Sequence, residues 1–314
     1  MNTIPGTFIQ SHWRRCISFA VAIALFACAT LPGITHAADT TGNSPSQPKG
    51  LQITPVRQFL SADAGAAVSD KFTVTNMTSG PLDITFSIQQ FSVANYTYDY
   101  MFSQPDNGWL HLLLTETTLE ADQSRDVPYI LTIPADSKPG GHYYTLFASA
   151  DLTAQGLNGT VQATDLLYVT VNGELTSTSH LEGSSVQRLS LGREIPFRLE
   201  ALNTGNTHQF VYVSGHLRGL TAKPDATSGA HLLLPGKTRT ITGNIPSPIL
   251  PGIYRAVYGY RAESGQIVTA SQLVVFIPPW FIALLLGILL LAGRFLSRRN
   301  RKAPPAQTQR PVQD

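Results

Sequence analysis

Short runs of apolar and β-branched residues, separated by turn residues, dominate the chain between positions 51 and 276. Thr, Val, Tyr, Phe and Ile are frequent in these runs, and Gly, Pro, Asn and Asp stand between them. Runs of this length and spacing are typical of β-sandwich strands, and no stretch here keeps a helical period for long. We therefore predict an all-β fold. The predicted strands cover residues 71–76, 82–91, 127–133, 142–150, 161–171, 195–203, 209–217, 238–245, 253–261 and 267–276.

Two longer apolar runs, one near each end of the chain, depart from this pattern. The first follows a basic start and ends in small residues around Ala37, which is the order found in an export signal. We predict a signal peptide over residues 1–38, with cleavage after Ala37 or Ala38. Two alternatives stay open: a permanent N-terminal membrane helix, and a lipoprotein signal with Cys28 as the first mature residue.

The second apolar run has the composition of a transmembrane helix. No charged residue occurs between Glu263 and Arg294, and the apolar part is about as long as the ~20 residues that a bilayer requires. We predict a single transmembrane helix over residues 277–296. Lys and Arg are frequent directly after it, and short basic segments stay on the cytoplasmic side. We therefore expect residues 297–314 to form a cytoplasmic tail and the preceding part to face the cell exterior.

The region between the two apolar runs contains an internal repeat. In each half a predicted strand ends in Asn, and an Ile-Pro pair and a Pro-Gly pair follow with the same spacing. We predict a flexible leader over residues 39–50 and two tandem immunoglobulin-like β-sandwich domains over 51–173 and 174–276. The first half is longer, and we place its extra residues in an insertion near 89–108. Insertions on rigid sandwiches often carry binding sites.

Charge and cysteine content limit the chemistry that the chain can perform. The whole chain carries a net charge of +2, but acidic side chains outnumber basic ones in residues 39–173 and the reverse holds in 174–276. This asymmetry suggests that the two halves have different partners or neighbours. Both cysteines, Cys16 and Cys28, lie in the predicted signal peptide. The mature chain therefore offers no thiol for catalysis, disulfide bonds or zinc binding.

Sequence motifs of catalysis are absent. The chain contains no HExxH, G-x-S-x-G, P-loop or G-x-G-x-x-G motif, and the histidines after residue 38 stand singly. We expect no enzymatic activity, no catalytic residue, no cofactor, no metal site and no nucleic-acid partner. A hydrolase or transferase whose residues meet only in the fold remains an alternative.

The inserted segment contains the strongest candidates for binding. Tyrosines alternate at positions 96, 98 and 100, which in a strand would place their rings on one face. Such a face is either ordinary core or an aromatic platform for sugars or a protein partner, with polar groups close behind it. The candidate binding residues are Tyr96, Tyr98, Tyr100, Asp106 and Asn107.

Four sequence blocks and the C-terminal span occur in a familiar order. The blocks are ITP at 53–55, LEADQS at 119–124, IPADSKPGGHY at 133–143 and LNTGNTH at 202–208. This order resembles that of the WxL-interacting proteins of Gram-positive-type cell surfaces. The resemblance implies two immunoglobulin-like domains, the first associated with peptidoglycan and the second with partner or host proteins, anchored in the cell membrane beside surface proteins that carry WxL modules.

These observations lead to two functional expectations for a bacterial cell-surface protein. The first is a non-enzymatic cell-envelope adaptor, anchored in the cytoplasmic membrane, that binds peptidoglycan, other surface proteins or both. The second is a chaperone-like assembly module that acts on exported surface subunits by strand addition, which a sheet edge of a sandwich would allow.

Overall fold

The computed structural model describes residues 50–152, 159–219 and 226–300. All of these residues belong to one compact unit of the chain. The predicted signal peptide with both cysteines, the predicted leader up to residue 49 and the tail from residue 301 lie outside the described residues.

The described residues form β-strands and one helix, which confirms the predicted all-β fold. All ten predicted segments fall within strands, except that residue 133 lies just beyond the end of one. In chain order the strands are β1 (Leu51–Thr54), β2 (Arg57–Ala62), β3 (Ala67–Asn76), β4 (Leu82–Val93), β5 (Tyr100–Ser103), β6 (Leu110–Leu112), β7 (Glu116–Leu119), β8 (Ser124–Thr132), β9 (Gly140–Asp151), β10 (Thr160–Val171), β11 (Ser179–Val186), β12 (Leu189–Ser190), β13 (Glu194–Asn203), β14 (Gln209–Arg218), β15 (Ala226–Leu233), β16 (Thr238–Pro246), β17 (Gly252–Ala262) and β18 (Ile267–Phe276).

The first ten strands form two sheets around a common core, the first sheet pair. One sheet has the order β1-β3-β8-β6, and the other has the order β2-β10-β9-β4-β5, with β7 also pairing with β4. Successive side chains of a strand point to opposite faces, so alternate residues enter the core. In β3, for example, Phe72, Val74 and Asn76 are buried while the residues between them are partly accessible. Burial of large side chains such as Tyr129 and Tyr144 supplies the main stabilising contribution.

A buried hydrogen-bond chain joins these two sheets. The Tyr129 hydroxyl on β8 donates to Gln58 Oε1 on β2 at 2.9 Å, and Gln58 Nε2 donates to Asp165 Oδ2 on β10. Asp165 is fully buried, and this burial raises the pKa of its carboxyl to about 6. Its second oxygen has no partner among the described residues. The ionised carboxylate therefore destabilises the fold, because burial penalises its charge.

The remaining eight strands form the second sheet pair. Its sheets have the orders β11-β13-β16 and β12-β18-β17-β14-β15, and residues such as Ile195, Phe197 and Tyr258 fill the core between them. Phe197 fits because Gly243 on the neighbouring strand has no side chain. A Cβ atom at Gly243 would lie only 2.5 Å from the tip of the Phe197 ring.

The internal repeat of the sequence corresponds to matching positions in the two sheet pairs. Gly140 begins β9 and Gly252 begins β17, each as the second residue of a Pro-Gly pair. Asn76 ends β3 and Asn203 ends β13, and both side chains are fully buried. The repeat therefore marks the same strand ends in both halves of the described chain.

The single helix of the described residues, α1, covers Pro279–Asn300. Its first 20 residues are long and apolar enough to cross a membrane, and none of this segment is buried against the rest of the protein. The helix begins two residues later than predicted, because the backbone N–H of Ile277 still donates to the carbonyl of Ser190 in β12 at 3.0 Å. It also runs on past residue 296, through the first basic residues of the predicted tail.

Candidate binding surface along an exposed sheet edge

The alternation of the tyrosines in the inserted segment predicts that their rings share one face of a strand. In the structure they do not. β4 ends at Val93 and β5 begins only at Tyr100, and residues 94–99 form a turn between them. Tyr96 and Tyr98 both adopt a left-handed backbone conformation, with φ values of 68° and 65°. Because this conformation interrupts the strand, the predicted continuous aromatic face is wrong.

Tyr96 is held by backbone bonds to the second sheet pair. Its N–H donates to the Thr238 carbonyl at 2.7 Å, and the Thr240 N–H donates to the Tyr96 carbonyl at 3.0 Å, which makes a parallel bridge to β16. The Thr238 N–H also donates to the Asn95 side-chain oxygen at 3.1 Å. The turn is thus attached to the edge of a sheet from the other half of the chain.

Tyr98 makes the same attachment through its side chain. Its hydroxyl accepts a bond from the Leu234 N–H at 2.6 Å, and the guanidinium carbon of Arg239 lies 4.4 Å from the centre of its ring. Burial raises the pKa of the Tyr98 hydroxyl far above its usual range, which keeps it protonated. The contact that residues 95–98 make with residues 234–240 is called the clasp below.

A cluster of apolar side chains extends the clasp between the sheet pairs, and it consists of Phe91, Val93, Tyr168, Leu232 and Leu234. His208 lies beside it, with its ring 5.3 Å from the ring of Tyr168 and 5.4 Å from that of Phe59. Burial lowers the pKa of His208 to about 4. A neutral histidine is therefore part of an apolar junction.

Three consecutive large apolar side chains are exposed on the edge strand β5 of the first sheet pair. Tyr100, Met101 and Phe102 are 42%, 46% and 44% exposed. The rings of Tyr100 and Phe102 are stacked, with centres 6.3 Å apart, and Phe102 also meets the edge of Phe147 at 5.2 Å. An exposed edge strand with large apolar side chains is a template for pairing with another strand, which soluble proteins usually avoid.

The backbone of β5 has two residues whose polar groups point outward. β5 pairs with β4 on one side only, as the last strand of its sheet. The Ala94 N–H donates to the Asp99 carbonyl at 2.9 Å, and hydrogen-bonded pairs alternate along an antiparallel ladder. Met101 and Ser103 therefore bond to β4, whereas the N–H and C=O groups of Tyr100 and Phe102 face the open edge.

The two polar candidates, Asp106 and Asn107, lie beside a cavity of about 210 Å³ rather than beside the tyrosines of the clasp. This cavity is also lined by Gln90, His142 and Tyr144. The Tyr144 hydroxyl donates to Asn107 Oδ1 at 2.7 Å, and the Asp106 N–H donates to the Gln90 side-chain oxygen at 3.1 Å. Burial lowers the pKa of His142, and the nearby Asp106 opposes this shift. Asn107 thus already satisfies an internal hydrogen bond.

The structure therefore divides the five candidate residues into three groups. Tyr96 and Tyr98 belong to the clasp, Tyr100 belongs to the open edge, and Asp106 and Asn107 belong to the cavity. Met101, which the alternation argument passes over, is as exposed as its neighbours. The sequence feature that could have identified Met101 is its place among the residues between the alternating aromatics, where the other residues are polar.

Metal-ligating side chains do not cluster within the described ranges of the chain. No group of three or more His, Cys, Asp or Glu side chains within residues 50–152, 159–219 and 226–300 could hold a metal ion. A larger cavity of about 450 Å³ lies over the second sheet pair, and Arg198 is the one ionisable side chain in its lining. The arrangement suits association through sheet edges and apolar surfaces.

Comparisons with known proteins assign the chain to no family, because no family model and no curated protein matches it. Solved structures with a similar arrangement include a chain of the chaperone–tip adhesin complex of CFA/I fimbriae biogenesis (13% identity, 72% of this chain, 98% of that chain, TM-score 0.40). They also include the class 5 fimbriae chaperone CfaA (13% identity, 72% and 99%, TM-score 0.38) and the Salmonella enterica SafA pilin–SafB chaperone complex (13% identity, 72% and 96%, TM-score 0.34). At these identities and TM-scores the likenesses assign neither a family nor a function.

Proposed function

We propose that this chain is a membrane-anchored, non-enzymatic cell-surface module that binds an extended segment of another exported protein by strand addition to β5. The observation that carries the proposal is the open edge of β5, where three consecutive large side chains are more than two-fifths exposed. This is the chaperone-like alternative among the functional expectations.

Strand addition uses two properties that β5 combines. Backbone hydrogen bonds to the open edge give affinity, and contacts with alternate side chains give specificity. In β5 the outward N–H and C=O groups of Tyr100 and Phe102 can form the backbone hydrogen bonds. Their stacked rings can form the side-chain contacts. A partner segment with apolar residues at alternate positions would cover both rings, whereas its intervening residues would lie near Met101.

The peptidoglycan part of the first expectation has less support in this geometry. A glycan platform needs several rings on one accessible face, but Tyr98 is occupied by Leu234 and Arg239. The surface-protein part of that expectation agrees with strand addition. We interpret the two sheet pairs as the tandem immunoglobulin-like domains 51–173 and 174–276, and the relation to WxL-interacting proteins stays a proposal.

We further propose that α1 anchors the module in the cell membrane. The apolar segment Pro279–Arg298 has the length of a span, and the basic residues that follow it favour a cytoplasmic C-terminus. The two sheet pairs would then face the cell exterior, where exported partners are met.

Hydrogen–deuterium exchange of the full chain in lipid nanodiscs tests strand addition at β5. The probe is a set of short synthetic peptides with apolar residues at alternate positions, compared with the same compositions in scrambled order. We expect the alternating peptides to slow exchange at the amides of Tyr100 and Phe102. The amides of Met101 and Ser103 already bond to β4 and should change little.

Two substitutions at one position separate backbone pairing from ring contact. Phe102→Ala removes the ring and keeps the outward N–H, whereas Phe102→Pro removes both without removing a ladder bond to β4. Strand addition requires the proline variant to lose binding well beyond the alanine variant. Equal loss in both variants, or protection elsewhere than at β5, would show that the proposed binding mode is wrong.

A further inference from the structure

We propose that the end of the second sheet pair from which α1 emerges rests on the outer surface of the bilayer. Its exposed apolar side chains would enter the headgroup region, and its arginines would meet lipid phosphates. This inference rests on the proposed membrane anchoring by α1.

Exposed apolar side chains are concentrated at this end of the molecule. On the outer face of the sheet, Leu189, Val275 and Ile253 stand side by side on three paired strands, β12, β18 and β17. Leu273 extends this row along β18, and two neighbouring loops add three further side chains. The bilayer-facing patch comprises Leu189, Leu191, Ile249, Leu250, Ile253, Leu273 and Val275, and all seven are exposed.

A patch of this kind requires an explanation, since contiguous exposed apolar surface usually marks an interaction site. Outward positions farther along the same strands are mostly small or polar, such as Ser271 and Thr269 on β18 and Gly259 on β17. The large exposed apolar side chains of β17 and β18 are therefore concentrated at one end of the sheet, and Ile267 is the exception at the other end.

Two arginines adjoin the patch on the next row of the sheet. Arg255 pairs with Leu273 on one side and with Arg218 on the other, and both arginines are exposed. Neither guanidinium forms an ion pair with another described residue. Two adjacent guanidinium groups repel each other, so an anionic partner such as a lipid phosphate would stabilise both.

The chain leaves little room between the patch and the membrane. Phe276 ends β18 and pairs with Gly252, and α1 begins at Pro279. Three Cα–Cα steps of ~3.8 Å place the end of the strand within about 11 Å of the start of the helix. Trp280 in the first helical turn is exposed and suits the water–lipid interface. The short connection between β18 and α1 therefore keeps the patch close to the water–lipid interface.

The length of the uncharged helical part agrees with this placement. The segment from Pro279 to Gly293 is about 22 Å long at 1.5 Å per residue, whereas the hydrocarbon core is about 30 Å thick. The bilayer thins around a short uncharged stretch, which brings the residues that flank it closer to the hydrocarbon. The apolar end of the sheet is suited to that position, while a polar end would resist it.

Single-cysteine labelling in nanodiscs tests this inference on the full chain. Cys16 and Cys28 are replaced by Ser, and a fluorophore is attached at Ile253→Cys, Ile267→Cys or Leu289→Cys. Ile267 is the matched control, because it is 69% exposed against 70% for Ile253 and lies at the opposite end of the same sheet face. The probe is phosphatidylcholine with phosphatidylglycerol, carrying nitroxide quenchers near the headgroup or deep in the acyl chain.

We expect headgroup quenching to be several-fold stronger at position 253 than at position 267, and deep quenching to be strong at position 289. Equal headgroup quenching at 253 and 267, with position 289 still deep, would overturn the inference and leave the anchor intact. Loss of deep quenching at position 289 would instead refute the anchor. Exchange at β5 is measured independently, so the strand-addition proposal stands or falls by itself.

A charge reversal tests the role of the arginines. Arg255→Glu should lower headgroup quenching at position 253 severalfold in discs that contain phosphatidylglycerol. Arg261→Glu, an exposed position at the far end of the same strand, should leave it unchanged. An equal effect of both reversals would contradict a local phosphate contact, and crosslinking of position 253 between two copies would assign the patch to self-association instead.

Discussion

Asn76 and Asn203 perform the same structural task at corresponding strand ends. Asn76 Nδ2 donates to the carbonyls of Leu119 and Gly80 at 2.9 and 2.8 Å, and Asn203 Nδ2 donates to those of Leu233 and Thr207 at 3.0 and 2.9 Å. Each side-chain oxygen accepts the N–H two residues ahead. Two buried amides thus close the same turn in both sheet pairs.

Removal of either amide should therefore be costly. Asn76→Ala or Asn203→Ala removes the buried side-chain hydrogen bonds to two or more carbonyl groups and to one N–H, and we expect a loss of at least about 2 kcal/mol in the free energy of unfolding. Urea unfolding of the full chain in detergent, followed by circular dichroism, measures it. The control is Asn244→Ala on an exposed position of β16, which should change stability by less than about 0.5 kcal/mol. A similar loss in all three variants would contradict the assigned role.

The same turns contain a second matched pair, Asp122 and Gly236. Their N–H groups donate to the carbonyls of Asn76 and Asn203, and their φ values are 59° and 65°. A Cβ at Gly236 would meet no other atom within 4 Å, so only the backbone conformation opposes a side chain there. We expect Gly236→Ala to cost about 1–2 kcal/mol and Gly236→Asp to cost less, because Asp tolerates the left-handed region.

Gly229 provides the control for this substitution. A Cβ at Gly229 also meets no atom within 4 Å, and Gly229 has no positive φ. Gly229→Ala should therefore leave the free energy of unfolding within about 0.5 kcal/mol of the parent value. If Gly236→Ala and Gly236→Asp lower the free energy of unfolding equally, the left-handed conformation at position 236 is not what opposes a side chain there.

The clasp predicts unequal effects of two chemically identical substitutions. Tyr98→Phe removes the acceptor of the Leu234 N–H and should cost about 1–2 kcal/mol. Tyr96→Phe should be nearly neutral, because Tyr96 attaches to β16 through its backbone and its side chain is exposed. Thermal unfolding of both variants measures the difference. Equal stability of the two variants would show that the Tyr98 hydroxyl does not support the clasp.

Asp165 predicts greater stability at lower pH. Its folded-state pKa of about 6 lies above the ordinary 3.8, so the folded state holds the proton more tightly and gains stability as the pH falls from about 6 to about 4. Asp165→Asn mimics the neutral acid and should raise the free energy of unfolding at neutral pH by about 1–3 kcal/mol. Urea unfolding of the parent and of Asp165→Asn at about pH 7.5 and about pH 4.5 measures this contribution as the difference between the two chains. If Asp165→Asn is less stable than the parent at both pH values, the ionised Asp165 does not destabilise the fold.

His208 predicts the opposite dependence over nearly the same range. Its pKa falls from 6.5 to about 4 on folding, so the stabilising contribution is complete above about pH 6.5 and is lost as the pH falls toward 4. The parent chain should therefore show a weak net response in this range. In Asp165→Asn, the free energy of unfolding should fall as the pH falls, because only the His208 effect remains. In His208→Phe, it should rise as the pH falls, because only the Asp165 effect remains. Identical pH profiles for both variants would refute this opposition.

Much of the fold follows from local sequence patterns, because one-sided burial produces alternation. Strands such as β3 and β13 were predictable for that reason. Short edge strands such as β5 and β12 were not, since their pairing depends on residues far away in the chain. The apolar composition of α1 revealed the helix, but its start depends on the bond between Ile277 and Ser190.

The candidate site shows the limit of the same reasoning. Alternation at positions 96, 98 and 100 indicates one face only if the backbone stays extended. Two left-handed residues break that condition, and they are stabilised by contacts with Thr238 and Leu234, which are distant in the sequence. The Asn-ended strands, in contrast, were correctly located, because each Asn side chain also bonds to residues two and four positions ahead, as a local turn requires.

The clasp has a mechanical consequence for anything that pulls on β5. Tyr100 follows the turn directly, and the turn is bonded both to β4 through Ala94 and to β16 through Tyr96. A tensile force on a partner strand would therefore be shared between the two halves of the protein instead of peeling one hairpin from its sheet. With a partner strand on β5 and α1 in the membrane, as proposed above, this load would reach the membrane through the second sheet pair.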